Sequence, residues 1–262
     1  MKIRKAILPV AGMGTRFLPA TKAQPKEMLT VVDKPVIQYV VEEAVAAGIE
    51  EIIFVTSLTK RAIEDHFDRN FELEARLKEK GKKDELDGLR RISEMAKFAF
   101  VRQQAPLGDG HAILSALPFV DPNEPVAILF GDDIFDAKVP VTAQLIASYE
   151  KYHDPIIALY DVGRKNVSSY GIASGKKLSK ELMEIGGFVE KPKLEDAPSS
   201  LAAVGHKENG RPWLAPCDWV TIATFDGDPW HVVRKLELIH PAVTACPDTV
   251  NQVLSSGIGE RP

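Results

Sequence analysis

The apolar run Ala6-Ile-Leu-Pro-Val10, followed at once by the closely spaced Gly12 and Gly14, limits how this chain can fold more than any other stretch. Five apolar residues ending at turn formers have the length and composition of a short buried strand. The glycines permit a tight turn and a close approach of a ligand to the backbone. Successive N–H groups in such a turn can cradle an anion. Arg16 and Lys26 add fixed positive charge, one as a planar fork and the other as a point charge. The arrangement reads as a phosphate-binding loop at the carboxyl end of a first strand, although G-x-G alone equally describes an ordinary strand-to-helix turn. It is neither G-x-G-x-x-G nor a P-loop, so a dinucleotide fold and a P-loop NTPase are not indicated.

Further along, residues 36–47 carry a helical pattern that stops at Gly48, a natural left-handed terminator. Glu51-Ile-Ile-Phe-Val-Thr56 reads as a second buried strand. Strand, helix and apolar strand in this order imply a parallel sheet with a right-handed crossover. Residues 59–97 are charge-rich, with Phe67, Phe71, Leu73 and Leu77 at helical spacing, and predict outer helices broken near Gly81 and Gly88. His66 reads as a surface or capping residue. Phe98–Gln103 predicts a third strand, Ile113–Leu117 helix, Val126–Phe130 a fourth strand, 141–152 a helix and Pro155–Tyr160 a further strand.

Chemistry-bearing side chains recur where these strands end. Gln103 precedes a loop containing Gly108 and Gly110. An amide both donates and accepts, which suits the edge of a base, and the glycines leave room for a flat ring. Gly131-Asp-Asp133 follows the fourth strand, where carboxylates near phosphates suit Mg²⁺, though they equally suit a cap on the next element. Tyr170-Gly171 and Glu190-Lys191-Pro192 are in isolation turn-like phrases. A carboxylate such as Glu190 can take vicinal hydroxyls, and a lysine such as Lys191 a phosphate.

The full string Ala11-Gly-Met-Gly-Thr-Arg-Phe-Leu-Pro-Ala-Thr-Lys-Ala-Gln-Pro-Lys26, continuing Glu-Met-Leu and then Val32-Asp-Lys-Pro35, closely resembles the start of bacterial UTP–glucose-1-phosphate uridylyltransferases. G-D-D, Y-G and E-K-P follow in the family's order, and His66–Glu74 resembles its helical excursion. The resemblance implies a doubly wound, mostly parallel Rossmann-like α/β sheet and the reaction UTP + glucose 1-phosphate → UDP-glucose + diphosphate. It implies that Arg16 and Lys26 neutralise the triphosphate, Asp132 holds Mg²⁺ and Lys191 holds the attacking phosphate. Asp133 then stands behind Asp132. Ala11, Gly12, Gly14, Glu27, Gln103 and Gly108 fall to the nucleotide, Gly171 and Glu190 to the glucose. His111 matches a family position, where packing alone would also explain it. Family members also suggest a homo-oligomer. A thymidylyl or other sugar-1-phosphate nucleotidyltransferase, and a nucleotide-binding homologue that no longer turns over, are the alternatives.

The resemblance covers residues 1–205, read as the catalytic domain. Residues 206–262 depart from it. All three tryptophans and both cysteines fall in this tail, and prolines recur at 212, 216, 229, 241 and 247. The family's E-I-Q-L-T-D phrase and the D-x-G aspartate that completes its metal site are not found there. The tail is either frameshifted or fused, or a lineage-specific replacement. A foreign tail predicts missing strands, a missing metal ligand and missing C-terminal dimer contacts. The whole chain has 262 residues, 45% hydrophobic and 27% charged, with a net charge of −4. That is enough for one sizeable core and argues against a general nucleic-acid binder. Two cysteines suggest neither a disulfide framework nor a zinc site. No apolar run is long enough to span a membrane, and the start is too short for a signal peptide, so the cytoplasm is the expected compartment.

Overall fold

The computed structural model describes residues 2–179 and 182–203, and the backbone of 221–224. The chain opens with β1 (Lys5–Pro9), the phosphate-loop region with three 3-10 turns, and a small hairpin of β2 (Thr30–Val31) and β3 (Lys34–Pro35). Then come α1 (Val36–Ala46), β4 (Glu51–Thr56), α2 (Arg61–Phe67), α3 (Phe71–Glu79), α4 (Lys83–Glu94) and β5 (Lys97–Arg102). They are followed by α5 (Asp109–Ala116), β6 (Pro125–Ile128), α6 (Val141–Tyr152), β7 (Ile156–Ile157) and β8 (Leu159–Asp161). Last come β9 (Gly171–Lys177), β10 (Met183–Glu190), β11 (Leu201–Ala203) and β12 (Thr221–Thr224).

The main sheet has the order β5-β4-β1-β6-β12-β7, and β5, β4, β1 and β6 are mutually parallel. β1 is central because its residues are buried on both faces. Ala6, Leu8 and Val10 join one core with Ile37 and Val41 of α1, Ile63 of α2 and Leu145 of α6. Ile7 joins the other with Ala112, Ile113 and Ala116 of α5. A near-continuous apolar run is what a doubly covered parallel strand requires. The chain moves outward from β1 to β4 and β5, then returns by α5 to lay β6 on the other side of β1. This reversal of strand order is where ligands sit in open α/β sheets. The doubly wound reading holds. A second sheet, β10-β9-β11-β8, carries the later site residues.

The tail enters the main sheet. β12 pairs antiparallel with β6, Thr221 opposite Ile128, and with β7, Thr221 opposite Ile157. A stretch of the divergent tail thus contributes a strand between β6 and β7. The cysteines and tryptophans of the tail lie outside the described residues.

Several local expectations shift. Gly81 does break a helix, with φ 70°, but Gly88 lies inside α4, where Leu86 and Ile92 pack inward and outweigh the modest helix penalty of one glycine. Phe71 and Leu73 face solvent, at 70% and 40% exposure, and the buried residue of α3 is Glu74. Arg69 Nε and Nη2 donate to its two oxygens at 2.9 and 2.6 Å, and Arg90 Nε donates to Oε2 at 3.0 Å. Charge pairing, invisible to an apolar count, sets that face. The expected strand at 155–160 breaks at Ala158, with β7 in one sheet and β8 in the other. α5 starts at Asp109, four residues before the apolar run, because Gly108 at φ 99° turns the chain into the helix. His66 is half-buried and spans two helices, its Nε2 3.0 Å from Gln38 Oε1 on α1.

Candidate active site

Three groups of side chains gather at strand ends. The first lies where β1 and β6 run side by side. The two glycines of the loop do different work there. Gly14 has φ 65°, and a Cβ on it would meet Lys26 Cβ at 3.1 Å and Thr21 Cγ2 at 3.3 Å. Thr21 Oγ1 donates to the Gly14 carbonyl at 2.8 Å, closing the loop on itself. Gly12 has no neighbour within 4 Å of such a Cβ, so its bare backbone faces open space. Ala11 precedes it, half-buried, and Arg16 stands exposed on the 3-10 turn Thr15–Phe17.

Lys26 closes the loop onto β6. Its Nζ lies 2.9 Å from Asp132 Oδ2, across 106 residues of sequence, and 3.8 Å from Glu27 Oε1. Both members of the Lys26–Asp132 pair are about one-seventh exposed. Gly131 makes room for this. A Cβ there would stand 2.6 Å from Val10 Cγ1 and 2.7 Å from Ile37 Cδ1. Behind the pair sits a residue the sequence reading missed. Lys60, from the turn between β4 and α2, is 2% exposed, and its Nζ donates to Glu27 Oε2 at 2.8 Å. Burial pushes the Lys60 ammonium below its ordinary value; Glu27 beside it opposes that shift, and Lys26 adds to it. No motif marks Lys60. The one signal is a lysine at the carboxyl end of an apolar strand.

The second group follows β5. Gln103 Nε2 donates to the Gly108 carbonyl at 2.9 Å and lies 3.1 Å from His111 Nδ1. Gln103 N–H also donates to Thr56 O at 2.9 Å, fixing its backbone to the end of β4. Burial lowers the His111 pKa, which favours the neutral ring, and the tautomer with its proton on Nε2 lets Nδ1 accept from the amide. His111 therefore does more than pack.

The third group lies in the second sheet. Glu190 stands directly opposite Gly171 in the antiparallel pair of β9 and β10. A Cβ on Gly171 would meet Glu190 Oε2 at 3.2 Å. Lys191 turns at φ 43°, donates its backbone N–H to Tyr170 O at 3.0 Å, and holds Nζ 3.6 Å from Glu190 Oε1. The structure thus joins Gly14, Lys26, Glu27 and Asp132; Gln103 and Gly108; and Gly171, Glu190 and Lys191. Among the described residues no three His, Cys, Asp or Glu side chains cluster as a self-sufficient metal site. The phrase that supplies the family's second carboxylate is not found in the sequence of the tail, most of which lies outside the described residues. Among the described residues no helix is long and apolar enough to cross a membrane.

A parallel sheet with a basic glycine loop at its strand reversal, facing a carboxylate in the turn after the neighbouring strand, defines a phosphate-handling α/β protein. The family model described as nucleotidyl transferase matches residues 5–206. A UTP–glucose-1-phosphate uridylyltransferase of Staphylococcus saprophyticus is 53% identical over 205 residues, 78% of this chain and 71% of that protein. One from Bacillus subtilis is 49% identical over 204 residues, 78% of this chain and 68% of that protein. A UTP-bound UGPase from Acinetobacter baumannii superposes with a TM-score of 0.73 at 44% identity, covering 77% of this chain and 72% of that one. The chain belongs to the nucleotidyl transferase family and, within it, to the UTP–glucose-1-phosphate uridylyltransferases.

Proposed function

We propose that the protein makes UDP-glucose and diphosphate from UTP and glucose 1-phosphate. The observation that carries this reading is the Lys26–Asp132 pair at 2.9 Å, joining the segments that follow the parallel strands β1 and β6, in a chain about half identical to uridylyltransferases over 78% of its length. In the proposed reaction a phosphate oxygen of glucose 1-phosphate attacks the α-phosphorus of UTP in line. The bond from that phosphorus to the oxygen bridging to the β-phosphate breaks, and diphosphate leaves with the electron pair. Such transfers rest on positioning and charge neutralisation. Arg16 and Lys26 take the triphosphate charge, and the open backbone at Ala11 and Gly12 admits the nucleotide. Lys191 takes the attacking phosphate, and Glu190, standing over Gly171, takes glucose hydroxyls. Gln103 uses its amide hydrogens on Gly108 and His111, leaving Oε1 to accept from the ring N–H of uracil.

Asp132 fits a divalent cation. Its carboxylate is a hard oxygen donor, and it already engages one cation, the Lys26 ammonium. One or two carboxylates completed by phosphate oxygens and water are a usual donor set for Mg²⁺. When bound, Mg²⁺ would neutralise charge on the phosphate oxygens. In the same reading residues 1–205 are the catalytic domain, 206–262 are a tail of separate origin, and the protein works in the cytoplasm. Translating the neighbouring frames of the gene tests the tail: recovering E-I-Q-L-T-D identifies a frameshift, and its absence from every frame rejects one.

The test of function is diphosphate release by the purified chain with UTP, glucose 1-phosphate and Mg²⁺, with dTTP run in parallel. Release favouring UTP supports the reading. Release favouring dTTP moves the chain to the thymidylyl branch, and UTP binding without release makes it a non-catalytic homologue.

A further inference from the structure

We infer that Lys60 is a positioning residue for Lys26: by neutralising Glu27 from inside the protein, it leaves Lys26 held at Asp132 and facing the phosphate site. The inference rests on the reading of Lys26 as a phosphate ligand. Four charges alternate in a row across the carboxyl ends of β4, β1 and β6, in the order Lys60, Glu27, Lys26, Asp132. The distances show how they pair. Glu27 Oε2 takes Lys60 at 2.8 Å and Lys26 takes Asp132 at 2.9 Å, while Lys26 stays 3.8 Å from Glu27 Oε1, beyond hydrogen-bond reach. Glu27 is 1% exposed, so water does little to screen it. A buried carboxylate without a counter-ion draws in any available cation, because both desolvation and the low local dielectric penalise leaving it alone.

Lys60 is built to be that counter-ion permanently. Its backbone N–H donates to Ser57 O at 3.1 Å, and its carbonyl accepts from Ile63 N at 3.0 Å. α2, which starts there, is pinned by fully buried Ile63 and Phe67. The Lys60 backbone is thus anchored and its ammonium held on Glu27, while Lys26, on the loop, can exchange Asp132 for an incoming phosphate. Without Lys60, Lys26 becomes the nearest cation to Glu27 and needs to close only the gap from 3.8 Å to hydrogen-bond distance. It would then point into the protein, away from the nucleotide.

The test compares Lys60→Met, Glu27→Gln and the double variant for diphosphate release at varied UTP. Lys60→Met should raise KM for UTP roughly tenfold, as expected for one displaced charge–phosphate interaction. In the Glu27→Gln background the same change should have little further effect, because the charge that diverts Lys26 is gone. A purely structural Lys60 would lower Tm, leave KM unchanged in the folded protein, and multiply independently with Glu27→Gln; that result overturns the inference. If the single Met variant does not fold, Lys60→Gln, which removes the charge but can still donate to Glu27, takes its place in the same comparison. A crystal structure of Lys60→Met, or of Lys60→Gln in its place, reads the rearrangement without any substrate. Lys26 within hydrogen-bond distance of Glu27 supports the inference, and Lys26 still on Asp132 overturns it even if the wild-type chain releases no diphosphate and the proposed reaction itself fails.

Discussion

Gln103 and His111 are coupled: the side-chain amide nitrogen of one lies 3.1 Å from Nδ1 of the other. The same amide nitrogen donates to the Gly108 carbonyl, so the orientation of the amide is set from two sides. His111→Phe should loosen the amide. KM for UTP should rise about fivefold, the equivalent of about 1 kcal/mol for one hydrogen bond. Competition by CTP, whose ring nitrogen at the matching place accepts rather than donates, should strengthen. An unchanged UTP-to-CTP preference would show that His111 does not set the amide.

The same pair gives a pH dependence. Burial holds the His111 pKa below its ordinary 6.5, so the neutral ring that accepts from Gln103 prevails near neutrality. As pH falls through the lowered value, Nδ1 takes a proton and the contact is lost. KM for UTP should therefore rise on the acid side in the wild type and rise less in His111→Phe. His66 is also pushed down by burial. A histidine with a depressed folded pKa contributes stability that is present above 6.5 and lost as pH falls through the folded value. Thermal melts of His66→Gln against wild type separate that loss from the KM effect.

Arg16 is exposed on its turn, so Arg16→Ala should leave folding stability within about 0.5 kcal/mol. If its fork stabilises the transferring triphosphate, the variant should lose roughly 3 kcal/mol of transition-state stabilisation, similar to one preorganised donor. Retained kcat/KM would remove Arg16 from the site.

The glycines divide by what surrounds them. Gly12→Ala should melt with the wild type, since nothing lies within 4 Å of the added carbon, yet weaken UTP binding by occupying the ligand's space. Gly131→Ala should lose stability by about 1–3 kcal/mol, because the new carbon overlaps Val10 and Ile37 in a packed core. Melting curves with and without UTP distinguish the two.

Hydrogen bonds from Arg69, and then from Arg90, hold the Glu74 carboxyl at about 2, well below its ordinary 4.5. A carboxylate with a depressed folded pKa contributes stability that is present above 4.5 and lost as pH falls toward about 2. Glu74→Gln should lower Tm at neutral pH and flatten the fall in stability across that window. Equal acid slopes in variant and wild type would show that the triad does not respond to acid.

Much of this was legible in order along the chain. Glu51–Thr56 and 141–152 match the expected elements end to end, because an apolar run and a helical period are local signals. The glycine loop, Asp132, Gln103 and the Gly171–Glu190 phrases were also readable, through their resemblance to a family. The break at Ala158 was not, since it depends on which of two sheets accepts each half. Nor was the burial of Glu74, which depends on Arg69 reaching it from the α2–α3 connection and Arg90 from α4.

By itself, then, the sequence determined the strands β1, β4, β5 and β6 and the helices α1 and α6, since these follow from periodicity and residue type over a few positions, while the roles expected at the strand ends came through the family resemblance. Only the tertiary structure decided which charges face each other. Lys26 meets Asp132 across 106 residues and Lys60 meets Glu27 across 33, because the strand order brings β4, β1 and β6 together. It also decided that a short piece of the divergent tail, Thr221–Thr224, pairs between β6 and β7. Backbone pairing needs only complementary N–H and C=O groups along a sheet edge, so no side-chain motif had to announce that strand.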